Sequence, residues 1–232
     1  MTIFGQKEGS MSNTIGSGFG LPGGKIGVVN GISLTVKCLI FSEDGLLIVK
    51  EKCPRLKSQE ERIKDALSFK EIRHRIWKLV ARRREKGDRS VDEKVLNELF
   101  EETKDNGEGS IIYLSAVREI LEETGLLIRP RELTRILIRD GRRHIVVICH
   151  GEIISGKLRK ESGETLNSFK RLSDLPPTDG EIEAEKIMRT ELMFYRHKVW
   201  YIPSALKILM EKNFNFPFSK DEVENFLKNK TA

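Results

Sequence analysis

The chain has 232 residues, 38% of them hydrophobic and 33% charged, which is enough apolar content for one buried core under a soluble surface. Its net charge of +6 is compatible with anionic partners such as nucleotides or RNA, and equally with a solvated basic surface. No apolar run approaches the ~18 residues that span a bilayer, and no signal peptide or CxxC pair is present, so we expect a cytoplasmic protein without a membrane anchor or zinc site.

The first half of the chain is predicted to contain an arm, a hairpin and two helices. Residues 1–30 are rich in glycine, serine and asparagine, which predicts an N-terminal arm. Residues 33–41 and 46–50 are rich in β-formers and flank an Asp-Gly turn, which predicts a β-hairpin. Residues 54–104 are charged, with apolar positions at helical spacing, so we expect an insertion of two helices, the second with Ser90 as its N-cap.

The second half is predicted to mix helices with antiparallel strands. A loop at 105–110 leads into a helix at 111–124 that ends at Gly125, a residue suited to a left-handed C-cap. Three strands and two helices follow, at 133–138, 144–154, 166–172, 181–191 and 201–211. This pattern favours an α+β sandwich over a doubly wound parallel sheet, with one domain over residues 31–212 and a C-terminal extension over 213–232.

Three glutamates of the predicted 111–124 helix indicate a candidate metal site. Glu119, Glu122 and Glu123 stand at positions i, i+3 and i+4 and therefore share one helix face. Their mutual repulsion is relieved by a divalent cation, and Mg²⁺ (or Mn²⁺) prefers carboxylate oxygens and leaves positions for phosphate oxygens. Arg118 lies four residues before Glu122 and can orient that carboxylate. Most acidic runs are solvated faces, but the glycine cap and the neighbouring strands favour a metal site here.

Residues 118–126 read Arg-Glu-Ile-Leu-Glu-Glu-Thr-Gly-Leu. They match every specified position of R-E-U-x-E-E-x-G-U, the second half of the Nudix box G-x5-E-x7-R-E-U-x-E-E-x-G-U, in which U is aliphatic. The predicted hairpin and the stretch FKRLSDLP at 169–176, which is similar to the family's W-x-x-L-x-x-L-P, extend the likeness over residues 33–53 and 105–210. The chain therefore resembles the Nudix hydrolase family.

The resemblance implies a Nudix-like α/β/α sandwich on a mixed sheet, with a helical insertion at 54–104. It also implies a metal-dependent hydrolase that cleaves a nucleoside diphosphate linked to another group. By motif position Glu119, Glu122 and Glu123 would bind Mg²⁺, and Glu119, Glu122 and Arg118 would serve catalysis. Dimers are frequent in the family, so a homodimer is one candidate assembly. The general base is left open among five later glutamates: Glu161, Glu164, Glu181, Glu183 and Glu185.

The first half of the box departs from the family pattern. Ser110 stands where the family has glutamate, and Lys104 stands where it has glycine. Glu108, in the predicted loop, is the favoured replacement and a candidate metal ligand if the loop carries two extra residues. The alternative is that this carboxylate has been lost.

A second departure concerns the family's W-x-L-P-G-G-K strand, which normally comes just before the box. In this chain the similar string FGLPGGK, at 19–25, stands ahead of the predicted hairpin. Chance similarity within a glycine-rich arm is the favoured interpretation. The alternative is that the arm folds back, or swaps onto a neighbouring subunit, and supplies the missing loop.

Residues 70–86 predict a basic amphipathic helix, on which Arg82 and Arg83 are candidate substrate contacts. A helix that only packs and exposes its basic side is the competing interpretation. Three functions remain open. The leading one is a pyrophosphohydrolase with a nucleotide-type small-molecule substrate. The others are a non-catalytic Nudix-like module that binds nucleotide or RNA, and a protein that binds a partner through the basic helix.

Overall fold

A computed structural model describes residues 19–29, 32–51, 67–104, 108–138, 144–162, 165–175 and 201–231 of the chain. In these ranges the protein is a mixed α+β fold built on one mixed sheet, as the sequence predicts. No helix among these residues is long and apolar enough to cross a membrane. The helix expected at 181–191 lies outside the described residues.

The strands of the described ranges are β1 Phe19–Gly20, β2 Lys25–Val29, β3 Ile32–Ser42, β4 Gly45–Glu51, β5 Leu126–Ile138, β6 His144–Gly156, β7 Glu161–Ser162 and β8 Thr165–Lys170. The helices are α1 Phe69–Glu85, α2 Glu93–Lys104, α3 Glu108–Thr124, α4 Tyr201–Glu211 and α5 Lys220–Thr231, with a short 3-10 helix at Leu172–Asp174. The main strand order is β5–β6–β3–β4–β8–β7, while β1 pairs with β4 and β2 with β3. Strands β3 and β6 run parallel, and the other pairs are antiparallel.

The predicted hairpin is confirmed as β3 and β4, which pair at Phe41 with Leu46 and at Ser42 with Gly45. Gly45 has a φ of +133°, a conformation that side-chain-bearing residues rarely adopt, so glycine is required where the chain turns. Strand β5 is longer than expected and begins at Leu126, directly after α3. Its first three residues are apolar and buried, which extends the strand back to the helix end.

Helices cover both faces of the sheet. On one face α1, α2 and α3 pack against alternate residues of β3, among them Val36, Cys38 and Ile40. On the other face α4 and α5 pack against the sheet through a second core that includes Leu39 and Ile48. The layering is therefore helix, sheet, helix.

The C-terminal residues join the second core. Val223 and Phe226 of α5 are buried there together with Leu206 and Leu209 of α4. Helix α5 therefore packs on the domain and is part of its fold. The sequence had suggested only a C-terminal extension over residues 213–232.

The N-terminal arm is part of the sheet from residue 19 onwards. Strands β3 and β4 pair with each other only next to their turn. Farther from the turn the two strands separate, and the arm lies between them. There β1 pairs with β4, with Phe19 opposite Lys50, and β2 pairs with β3, with Lys25 opposite Thr35. Between β1 and β2 the loop carbonyls of Pro22 and Gly24 accept hydrogen bonds from the backbone N–H groups of β3. The arm therefore fills the split between the two hairpin strands and brings its loop to the α3 side.

The insertion contains α1 and α2, and α2 begins later than expected. Helix α1 starts with a capping box between Ser68 and Glu71. The N-cap expected at Ser90 is wrong, because the Ser90 hydroxyl and backbone N–H both bond the Asp88 carboxylate. Asp92 caps α2, since its carboxylate accepts the N–H of Lys94 at 2.8 Å.

Candidate active site

Helix α3 carries the three glutamates and is anchored by its inner face. Val117, Ile120 and Leu121 are fully buried against the sheet, and each such burial contributes roughly 1.5–3 kcal/mol to stability. The helix ends where Gly125 adopts a φ of +84°. Thr124 closes the last turn with a hydrogen bond from its hydroxyl to the Ile120 carbonyl. The outer face, with its carboxylates, is thereby held in a fixed orientation.

Arg118 links two of the glutamates. Its guanidinium forms an ion pair with Glu119 and a 3.3 Å hydrogen bond with Glu122. The Glu119 side chain is only 15% exposed, whereas that of Glu122 is 54% exposed. Burial raises the pKa of Glu119 to about 7; Arg118 opposes that rise, and the carboxylates of Glu123 and Glu122 add to it. A buried, crowded carboxylate of this kind is stabilised by a nearby cation.

The LPGGK loop of the N-terminal arm lies against these glutamates. The backbone N–H of Gly23 donates to Oε2 of Glu123 at 2.8 Å. A side chain at Gly23 would collide with the backbone carbonyl of Val36, and its φ of +122° also favours glycine. A side chain at Gly24 would meet the mobile carboxylate end of Glu119, which shows how closely the loop approaches that residue. This contact corresponds to the alternative interpretation of the FGLPGGK string, in which the arm folds back. The arm folds back onto its own chain and borders the glutamate cluster.

Lys37 is a neighbour of the site that the sequence analysis did not single out. Its ammonium group donates to the carbonyls of Leu21 and Gly23, which fixes the loop. Its charge also lowers the pKa of Glu119. The available signal was a single lysine within the apolar run of β3.

Asn167 is a second neighbour that sequence reasoning missed. Its side chain is buried, and its amide nitrogen donates to the carbonyls of Glu123 and Arg159, each at 2.8 Å. Strand β8 is thereby tied to the end of α3. Nothing in the local sequence marks Asn167, because both of its partners come from other parts of the chain.

The structure separates Glu108 from the other candidate ligands. Glu108 is the first residue of α3 and does not lie in the expected loop, and a rise of ~1.5 Å per residue puts roughly 16 Å of helix between it and Glu119. That separation is too long for the carboxylates of Glu108 and Glu119 to share one cation. Ser110, at the position of the family's glutamate, is buried and donates to the Thr103 carbonyl.

The two arginines proposed as substrate contacts have different surroundings. Arg83 is buried and donates to the Gly125 carbonyl at 3.0 Å and to Asp88 at 2.9 Å. It therefore holds α1 to the end of α3, and most of its guanidinium is engaged in these contacts. Arg82 is exposed and lines a cavity that also contacts Glu122.

The oxygen atoms of the glutamate cluster are of the type that binds a hard divalent cation. Carboxylate oxygens are ligands that Mg²⁺ prefers, and those of Glu119 and Glu123 lie beside the Gly23–Gly24 loop. Within the described residues, no three His, Cys, Asp or Glu side chains are gathered tightly enough to form a metal site by themselves. Oxygen atoms of substrate and water would have to complete any coordination shell. Of the candidate bases, Glu161 lies on β7 next to α3, and the other four lie outside the described residues.

No protein-family model matches this chain, and no curated protein matches it.

Proposed function

We propose that the protein is a divalent-metal-dependent, Nudix-type pyrophosphohydrolase that cleaves a nucleoside diphosphate linked to another group. One observation carries the proposal: the FGLPGGK segment and the REILEETG segment, which resemble two neighbouring motifs of that family, meet in space although they are distant in the chain. Gly23 bonds Glu123 and Gly24 abuts Glu119, so the loop and the helix border a single site.

The residues of the site would divide the work between them. Glu119 and Glu123, with Glu122 beside them, would hold Mg²⁺ or Mn²⁺ against the phosphate groups. The bound cation would neutralise phosphate oxygens and lower the pKa of the attacking water. Arg118 would fix the orientation of Glu119 and Glu122, to both of which it bonds. Without a cation, burial raises the pKa of Glu119 to about 7, and a bound cation would lower that pKa and keep the carboxylate charged as a ligand.

A second candidate is a non-catalytic module that binds nucleotide or RNA on the same surface. The observation that favours it is the position of Ser110, whose hydroxyl is buried and bonded where the family has a metal-binding glutamate. With Glu108 at the far end of α3, the described part of the chain brings fewer carboxylates to the site than a complete box would provide.

Magnesium-dependent release of phosphate products from a panel of nucleotides separates the two candidates. The panel comprises nucleoside triphosphates, sugar nucleotides, dinucleoside polyphosphates and capped RNA. For the enzyme we expect turnover that Glu122→Gln removes without a change in melting temperature. Glu98→Gln, an exposed glutamate on α2, is the matched control and should keep full activity. Nucleotide binding with no turnover of any substrate by the wild type would support the module.

A further inference from the structure

A cavity of about 440 Å³ lies between α1 and α3, beside the glutamate cluster. Leu79, Arg82, Arg83 and Lys86 line it from α1 and its end, and Leu121 and Glu122 line it from α3. Asp88 and Arg159 complete the lining. Glu122 therefore belongs both to the glutamate cluster and to the lining of this cavity, so the two adjoin at this residue.

The charges that remain available in the cavity are positive. Asp88 is neutralised by its 2.7 Å ion pair with Arg83, and Glu122 is paired with Arg118. Within the described part of the chain, Arg82, Lys86 and Arg159 make no side-chain ion pair. Three basic groups beside an apolar wall attract an anion more strongly than the same groups on an open surface.

The helix ends at the cavity do not cancel this attraction. The C-terminus of a helix is partially negative and would repel an anion. At the end of α1, the carbonyls of Arg83 and Arg84 accept hydrogen bonds from the N–H groups of Lys86, Gly87 and Asp88. At the end of α3, the Gly125 carbonyl accepts a hydrogen bond from Arg83. The exposed carbonyl charge at both helix ends is thus reduced.

We propose that this cavity binds a phosphate group that lies beyond the anhydride bond to be cleaved, so that the protein prefers substrates with a chain of three or more phosphates. The substrate preference rests on the proposed pyrophosphohydrolase function, whereas the binding of phosphate in the cavity does not. A triphosphate held at Glu119 and Glu123 would extend past Glu122 and place its terminal phosphate near Arg82, Lys86 and Arg159. A sugar nucleotide has an uncharged ring at that position and gains nothing from the basic groups.

Two matched triple variants test the preference. The cavity variant carries Arg82→Gln, Lys86→Gln and Arg159→Gln. The control carries Lys70→Gln, Lys78→Gln and Arg89→Gln, three exposed residues outside the cavity, so both variants lose the same charge. Because hydrogen bonds to charged groups are the stronger ones, we expect the cavity variant to lose at least about tenfold in kcat/KM for a nucleoside triphosphate, mainly through KM.

The same cavity variant should keep kcat/KM for a nucleoside diphosphate sugar within about threefold, and the control should keep both values. An equal fall for both substrates, or no fall for the triphosphate, would overturn the proposal. If the cavity variant unfolds, the double variant Arg82→Gln, Lys86→Gln replaces it, because both of these side chains are exposed.

Binding of inorganic tripolyphosphate without metal, measured by calorimetry, separates this proposal from the proposed function. We expect the wild type and the control to bind it and the cavity variant to lose at least about tenfold in affinity. If this result is obtained while the wild type hydrolyses no nucleotide, the hydrolase function fails and the phosphate site stands. If nucleotides are hydrolysed but the three proteins bind tripolyphosphate equally, the phosphate site fails and the hydrolase function stands.

Discussion

The backbone N–H of Gly23 donates a 2.8 Å hydrogen bond to the carboxylate of Glu123, although the two residues are 100 positions apart in the chain. The next residue, Gly24, has its backbone against the carboxylate of Glu119. Of the three clustered glutamates, Glu123 is therefore hydrogen-bonded and Glu119 closely approached by a loop that has no side chains of its own at the contact. The loop and the helix form one structural unit.

Replacing Gly24 with alanine tests that unit. The added methyl would collide with the Glu119 carboxylate, which is the mobile end of a side chain and can move aside. We expect the free energy of unfolding to change by less than about 1 kcal/mol, while Mg²⁺ affinity and turnover fall about tenfold or more. Metal titration and urea unfolding measure the two effects. In a Glu119→Ala background the same substitution should have no further effect, and an undiminished effect there would contradict the contact.

Replacing Lys37 with methionine keeps the length of the side chain and removes its charge. The carbonyls of Leu21 and Gly23 would lose their shared donor, so the loop should loosen. We expect a loss of about 1–3 kcal/mol in stability and faster hydrogen exchange of the Gly23 amide, measured by urea unfolding and exchange mass spectrometry. Lys25→Met, at an exposed position on β2, is the matched control. Unchanged exchange at Gly23 would show that Lys37 does not hold the loop.

Asp88 gives the loop between α1 and α2 a pH-dependent contribution to stability. Burial acts to raise its pKa, but hydrogen bonds from Ser90 and the nearby Arg83 guanidinium outweigh burial and lower the pKa of Asp88 from 3.8 to about 2. Because the folded-state pKa is depressed, the stabilisation is complete above ~pH 4 and is lost as the pH falls through about 2. Asp88→Asn should therefore destabilise the protein near neutral pH and have much less effect near pH 2.

We expect the loss at neutral pH to be about 1 kcal/mol, since the partial exposure of Asp88 weakens its interactions. Urea unfolding at several pH values measures it. Asp44→Asn, in the exposed hairpin turn, serves as the control and should give no comparable pH-dependent loss. A loss that is equal at neutral and strongly acidic pH would mean that the charge of Asp88 contributes nothing.

Cys38 and Cys149 face each other across the parallel strands β3 and β6, with their sulfur atoms 2.9 Å apart. Both are buried, and burial, followed by the contact with Cys149, raises the pKa of the Cys38 thiol well above its ordinary value. Because the thiolate is the reactive form, we expect iodoacetamide to label neither residue in the native protein at mildly alkaline pH. Peptide mass spectrometry should detect labelling only as urea unfolds the chain. Rapid labelling without urea would contradict this packing.

Local signals in the sequence were sufficient for several elements. The Asp-Gly turn gave the β3–β4 hairpin, because turn chemistry is decided by neighbouring residues. The spacing of Glu119, Glu122 and Glu123 gave a shared helix face, and Gly125 gave the end of that helix. The hairpin turn, the shared helix face and the helix end each depend on residues that are close together in the sequence.

Contacts between distant segments could not be predicted in the same way. Residues 105–110 contain glycine and asparagine and so predicted a loop, but the helix already begins at Glu108 and buries Ser110 against Thr103. The contact of the arm with α3 depends on how β3 and β4 separate, which local periodicity does not encode. Arg83 resembled its neighbour Arg82 in the sequence, and only the positions of Asp88 and the Gly125 carbonyl distinguish the two.

The arm between β3 and β4 is synthesised well before the glutamates that its loop contacts, so the two parts of the site become available at different times. The strands that pair with the arm, β3 and β4, end by residue 51, so the strands β1 to β4 can pair while most of the chain is still unmade. The glutamates leave the ribosome about 70 residues after residue 51, and at roughly 5–20 residues per second this corresponds to an interval of several seconds. Until then, the nascent chain has the loop without the carboxylates and cannot offer a metal ion the site on which the proposed chemistry depends.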